Sequence, residues 1–117
     1  MKKLDYIKDD RGYILNLLEG VNIQGVSLIF SKKGSIRSNH YHKEDFHYLF
    51  VCQGKMKYYE RDLDNKTTII KVYTAGDMVL TEPMKVHKTV FLEDTFLLCL
   101  SKLPKDEARH DMVPEEF

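Results

Sequence analysis

Short runs rich in Val, Ile, Thr, Phe, Leu and Tyr, each closed by turn residues, follow one another along the chain with no helical period between them. They are Gly25–Ser31, Phe46–Cys52, Lys55–Asp62, Thr67–Tyr73, Met78–Thr81, Val86–Phe91 and Thr95–Ser101. β-Branched and aromatic residues fit a pleated, half-buried surface. Lys32-Lys33-Gly34, Asp64-Asn65-Lys66 and Ala75-Gly76-Asp77 are segments suited to reversing direction, and Gly54 opens a strand. Strands this short and closely spaced fold as an all-β sandwich or barrel. Some are apolar on both faces. Side chains alternate along a strand, so in Phe46–Cys52 Leu49 and Val51 share one face while Phe46, Tyr48 and Phe50 share the other. Such a strand needs two covers, the barrel interior and a second layer or partner subunit, and a homodimer is therefore expected.

A chain of 117 residues supports a single domain, 1–117. The apolar fraction of 43% suits a globular protein and argues against disorder. Eighteen basic side chains balance eighteen acidic ones, so no global field draws in nucleic acid or an anionic membrane, and neither is an expected partner. The charged start Met1-Lys2-Lys3 runs into Asp5, Lys8, Asp9 and Asp10 without an apolar stretch, so no signal peptide is expected and the cytoplasm is the expected location. No run has the length of a transmembrane helix. Cys52 and Cys99 lie in apolar runs without CxxC spacing, which reads as buried reduced thiols. From Lys105 to Phe117 five acids stand against Lys105 and Arg109, and Pro104 and Pro114 bracket the segment. One short helical turn at most, then an extended acidic tail over 105–117, is the expectation there.

Four of the five histidines fall at informative spacings. His40 and His42 are two apart on a probable strand segment, which puts both on one face with Cα atoms about 6.6 Å apart, close enough to share an ion. His47 lies at an odd offset. Polar Lys43-Glu44-Asp45 turns the chain and lets His47 begin the next strand pointing back. His87 comes from further along the chain, brought home by the fold. Imidazole donors favour Zn, Cu, Fe or Ni over Mg or Ca, and neutral ligands leave a divalent ion strongly electrophilic. His110, in the acidic tail, reads as a surface residue.

The glycines give these histidines a context. Gly34, five residues, His40, one residue, His42, four residues, His47, six residues, Gly54 resembles the first cupin motif, G-x5-HxH-x3,4-E-x6-G. Gly76 to His87, GDMVLTEPMKVH, looks like the second, G-x5-PxG-x2-H. The resemblance implies an all-β double-stranded β-helix, a jelly-roll barrel with its metal core within 34–91. It also implies one divalent transition metal per chain (Zn, Fe, Ni, Mn or Cu) on His40, His42, His47 and His87. The chain departs from the pattern in three places. His47 stands where the family has Glu, Pro83 is one place late, and Phe91 occupies the position of a later Asn.

A narrower likeness is carried by Arg37-Ser38-Asn39-His40-Tyr41-His42-Lys43, similar to the R-G-x-H-A-H-K stretch of nucleotide-sugar 3,4-ketoisomerases, and by Asp10-Arg11-Gly12, which looks like their D-x-R-G. The related dTDP-4-dehydrorhamnose 3,5-epimerases share the barrel, and GDMVLTEPM and FLEDT look like small cupins of capsular and lipopolysaccharide gene sets. These likenesses imply proton abstraction beside the ketone of a nucleotide-linked sugar. In the ketoisomerases the histidines of the H-x-H-K stretch act as bases, and a ligated nitrogen has no lone pair left for that role. One reading reconciles the two, an ion that polarises the ketone and holds the enediolate while another residue takes the proton. Tyr48, Tyr58, Tyr59, Glu60 and Arg61 are available, with Arg37, Tyr59 and Arg61 as the candidate substrate-binding residues. A metal-dependent dioxygenase and a non-catalytic small-ligand-binding cupin remain the alternatives.

Overall fold

The computed structural model describes residues 5–117, so the charged start at Met1–Lys3 lies outside the described residues. A two-stranded hairpin comes first, β1 (Asp5–Asp9) and β2 (Gly12–Asn16). The barrel follows with β3 (Gly25–Ser31), β4 (Ile36–His42), β5 (His47–Gln53), β6 (Lys55–Asp62) and β7 (Thr68–Thr74). It is completed by β8 (Met78–Thr81), β9 (Lys85–Phe91) and β10 (Thr95–Ser101), and the chain ends on α1 (Lys105–Asp111) and β11 (Met112–Pro114). Two antiparallel sheets, ordered β3-β10-β5-β8 and β11-β4-β9-β6-β7, face each other as the jelly-roll barrel of the cupin fold. No described helix is long and apolar enough to cross a membrane.

Strand alternation builds the core. Leu49 and Val51 of β5, Met56 and Tyr58 of β6, Phe91 of β9, and Leu97 and Cys99 of β10 point inward and pack together with Tyr73 and Val79. Both cysteines are free, Cys99 buried and Cys52 exposed, the latter against the expectation of two buried thiols. Cys52 is exposed because β5 turns its odd-numbered residues, Leu49 and Val51, inward. The tail departs further from expectation. Its helix spans seven residues rather than one turn, and the end pairs in the sheet, Met112 opposite His42 and Pro114 opposite His40.

The turn into β6 admits no side chain. Gly54 has φ +110°, and a Cβ there would meet the hydroxyl of Thr95, the Asp94 carbonyl oxygen at 2.6 Å and Thr95 Cα at 2.7 Å. Thr95 is itself fully buried and accepts a hydrogen bond from the Lys55 amide at 3.1 Å, so it has nowhere to yield. Gly54→Ala combines overpacking with left-handed strain and should lower stability by about 3 kcal/mol, measured as a shifted urea midpoint at unchanged slope.

Candidate functional site

A bulge in β4 sets which side chains enter the barrel. Along the β4–β9 pair Arg37 lies opposite Thr89 and Ser38 opposite Lys88, but His40, not Asn39, lies opposite His87. Ser38 and Asn39 adopt left-handed backbone, φ 78° and 57°, which makes room for the extra residue. Directly paired residues share a face, and His87 and Thr89 are inward and buried. Arg37 is therefore on the inner face, and the bulge resets the alternation so that His40 and His42 are too. Without it either Arg37 or the His40–His42 pair would face outward.

The rings of His40, His42 and His87 then converge. His40 lies 4.7 Å from His42 and 4.7 Å from His87, centroid to centroid, and one nitrogen from each of the three falls within 4.8 Å of the others. His87 Nδ1 donates to the Lys85 carbonyl at 3.0 Å, which fixes the tautomer and leaves the Nε2 lone pair for the cavity. Both ring nitrogens of His42 are buried with no hydrogen-bond partner, an expensive state that a ligand would relieve. Burial, helped by His47 nearby, pushes His40 down to about 4. Burial, with His47, His40 and His87 adding to it, pushes His42 to about 3. Burial also takes His87 to about 4 against the opposing pull of the Lys85 carbonyl. All three are neutral donors at ordinary pH, one of them orphaned and one aimed by its neighbour. This donor set fits a borderline divalent transition ion.

His47 stands beside this triad but is engaged differently. Its ring lies 4.4 Å from that of His42, and it groups with His42 and Asp45 rather than with His40 and His87. Its Nε2 donates to Asp45 Oδ2 at 2.8 Å, and its Nδ1 is 3.6 Å from Cys99 Sγ. Burial first, then the Asp45 charge, pushes the Cys99 thiol up to about 11, so the thiol stays protonated and donates to Nδ1. The expected four-histidine set thus divides into three convergent imidazoles and a fourth held by a carboxylate. Asp45, read from sequence only as a turn residue, is fully buried and also accepts the Leu103 amide at 3.1 Å. Asp111 of α1 in turn accepts the amides of Glu44 and Asp45, pinning the loop that carries the acid.

These histidines line a cavity of about 690 Å³ together with Arg37, Ser38, Thr81, Thr89 and Cys99. The guanidinium of Arg37 is oriented by donation from Nε to Ser31 Oγ at 2.7 Å and from Nη2 to the Phe30 carbonyl at 3.1 Å. Tyr59 and Arg61 are elsewhere. They alternate with inward Tyr58 on β6 and so face the outer side of the sheet, where Arg61 pairs with Glu115 at 3.2 Å and Tyr59 packs on Phe117. Tyr58 bonds to Thr81 Oγ1 at 2.6 Å and to Glu60 Oε1 at 2.9 Å, and burial raises both its phenol and the Glu60 carboxyl. Tyr58 and Glu60 line a separate, smaller cavity. His110 is exposed on α1.

A jelly-roll barrel with convergent histidines at its centre is a cupin. More narrowly, the chain belongs to the polysaccharide biosynthesis C-terminal domain family, whose model matches residues 7–101. No curated protein sequence matches it significantly. Among solved structures it is similar to the 3,4-ketoisomerase QdtA from Thermoanaerobacterium thermosaccharolyticum, a double mutant in complex with TDP. The two share 25% identity and a TM-score of 0.81 over 97% of this chain and 84% of that one. The capsular polysaccharide assembling protein CapF from Staphylococcus aureus matches at 21% identity and TM-score 0.75. All of this chain is covered there but only 35% of CapF, so the chain spans about a third of that protein. The dTDP-4-dehydrorhamnose 3,5-epimerase from Sulfolobus tokodaii matches at 23% identity and TM-score 0.67, over 86% of this chain and 67% of that one.

The lowered histidines leave a mark on stability. Folded, the triad refuses protons until pH falls to about 4, whereas the same side chains in the unfolded chain take them up near 6.5. The unfolded state binds more protons throughout that window, so stability is lost as pH falls through it. Thermal melts of chelator-treated protein should show the melting temperature falling from about pH 6.5 downward, before surface carboxylates titrate. Replacing His40 and His87 with Gln should flatten that slope.

Proposed function

We propose that this chain is an isomerase or epimerase of a nucleotide-linked ketosugar, with the histidine-lined cavity as its active site. The observation that carries the reading is the pairing of His47 with a buried carboxylate beside three neutral, convergent imidazoles. His40, His42 and His87 would hold a divalent transition ion, which when bound supplies Lewis acidity to a ketone and to the enediolate formed from it. His47 is the base. Asp45 fixes the proton on Nε2, leaves the lone pair on Nδ1, and stabilises the imidazolium as it forms. A substrate C–H takes the place of the weak Cys99 S–H donor at Nδ1 and loses its proton there. A proton delivered from solvent to the same carbon on the other face gives the epimer. A proton delivered to the former carbonyl carbon, with the hydroxyl proton passing to that carbon's oxygen, gives the isomer. Arg37, its fork aligned by Ser31 and Phe30, grips phosphate oxygens. The ligands bound by QdtA, TDP in one structure and TDP-4-keto-6-deoxyglucose in another, support a substrate of this class.

Deuterium exchange from heavy water into TDP-4-keto-6-deoxyglucose and related 4-ketosugars tests the chemistry. Exchange is expected with metal-loaded protein, should fall by about 10²-fold or more in His47→Gln, and should fall on chelation. Oxygen consumption with no exchange from any ketosugar would instead mark an oxygenase, and binding without either would mark a ligand-binding module.

The chain is proposed to act as a homodimer. Val26 and Leu28 of β3 are 64% and 66% exposed, and Phe30 beside them packs against Phe96 with its outer face open. In the hairpin, Tyr6, Ile7, Tyr13 and Ile14 are exposed as well. These faces support burial against a second copy. Sedimentation at micromolar concentration should give a dimer for the wild type and a monomer for Leu28→Asp with Phe30→Asp; a wild-type monomer contradicts the dimer.

A further inference from the structure

Helix α1 turns the bases of an acidic segment toward the cavity and keeps its acids out. Between Lys105 and Phe117 the acids are Asp106, Glu107, Asp111, Glu115 and Glu116, and the bases are Lys105 and Arg109. Lys105, Ala108, Arg109 and Met112, spaced by three and four residues, form the stripe that lines the 690 Å³ cavity, and none of the five acids does. Asp111 is committed to the loop at Glu44 and Asp45, and Glu115 to Arg61. Among the described residues neither Lys105 nor Arg109 makes an ion pair. Arg37 lines the same cavity, and no carboxylate side chain does. A chain with equal numbers of acids and bases has thus gathered cations, unneutralised, at one opening. The segment lies beyond residues 7–101, which match the family model.

We propose that Lys105 and Arg109 form, with Arg37, an anion subsite at the cavity mouth that takes the diphosphate of a nucleotide-linked sugar. The identity of that anion rests on the isomerase reading above; the existence of the subsite does not. Cations over one opening focus potential there and raise the local concentration of anions. Arg109 offers a planar fork for two oxygens of one phosphoryl group, while Lys105 is a mobile point charge able to reach the next. A diphosphate spreads its charge over adjacent phosphoryl groups, which matches cations presented from a helix and from β4. The sugar would then project inward toward His40, His42 and His47.

Calorimetric titration of metal-free full-length protein with TDP, inorganic pyrophosphate and thymidine tests this, with the ion removed so that anions cannot report on it. TDP and pyrophosphate should bind the wild type, more weakly as salt rises, and thymidine should bind without salt dependence or not at all. Lys105→Gln with Arg109→Gln should weaken both anions by about tenfold for each cation removed and flatten the salt dependence. Lys102→Gln, outside the cavity, should change nothing. Arg109→Lys, which keeps charge and helix but loses the fork, should give a smaller loss and serves if the double variant unfolds. Unchanged pyrophosphate affinity in a folded Lys105/Arg109 variant, or no anion binding to the wild type, overturns the subsite. Pyrophosphate binding that depends on Lys105 and Arg109, with no ketosugar exchanging deuterium, leaves the subsite standing and removes the isomerase.

Discussion

The one-residue bulge at Ser38 and Asn39 is the constraint on which the site depends. Strand alternation is strict, so Arg37 and His40, three residues apart, belong on opposite faces of a regular strand. The left-handed pair of residues absorbs the mismatch and brings Arg37, His40 and His42 to one side, opposite Thr89 and His87. Neither residue is glycine, so the conformation carries strain that its surroundings must hold. The tail does much of this. Phe117 N donates to Asn39 Oδ1 and Glu115 N to the Asn39 carbonyl, while β11 pairs with β4 on either side of Tyr41.

The tail also governs the second half of the site. Leu103 donates to Asp45, and Asp111 receives the amides of Glu44 and Asp45, so the buried acid behind His47 is held by residues sixty or so positions later. A carboxylate out of water is tolerated only when its oxygens are bonded, and here an amide and an imidazole satisfy them. The result is two kinds of histidine a few ångströms apart. His40, His42 and His87 are desolvated and neutral, suited to ligation. His47 is backed by charge, suited to receiving a proton. In the proposed function, ligation and base catalysis, which exclude each other on one ring, fall to different neighbours.

Much of the fold was legible in the chain. Gly25–Ser31, Lys55–Asp62, Met78–Thr81 and Thr95–Ser101 form strands with the bounds their composition indicates. The hairpin at Asp5–Asn16 was not read, because its strands are only five residues each and Tyr6, Ile7, Tyr13 and Ile14 stay exposed. The HxH pair pointed correctly to one shared face, but the bulge that aims it inward has no glycine to announce it. Tyr59 and Arg61 were assigned to the substrate because parity alone does not say which face is inward; the buried Tyr58 just before them decides it. Asp45 looked like turn chemistry, and its burial depends on amides from the far end of the chain. The same long-range contacts turn an apparently featureless acidic tail into a wall of the cavity.

The division of labour among the histidines is tested most directly by metal content. Purified wild type and the single variants His40→Gln, His42→Gln, His47→Gln and His87→Gln would be loaded with Zn or Co, freed of excess ion, and analysed for metal per chain. One ion per chain is expected in the wild type, loss of most of it in the His40, His42 and His87 variants, and retention in the His47 variant. Loss from the His47 variant as complete as from the other three would make it a ligand rather than the base. An ion bound equally by all the variants, or by none of the proteins, would contradict a metal centre at this site.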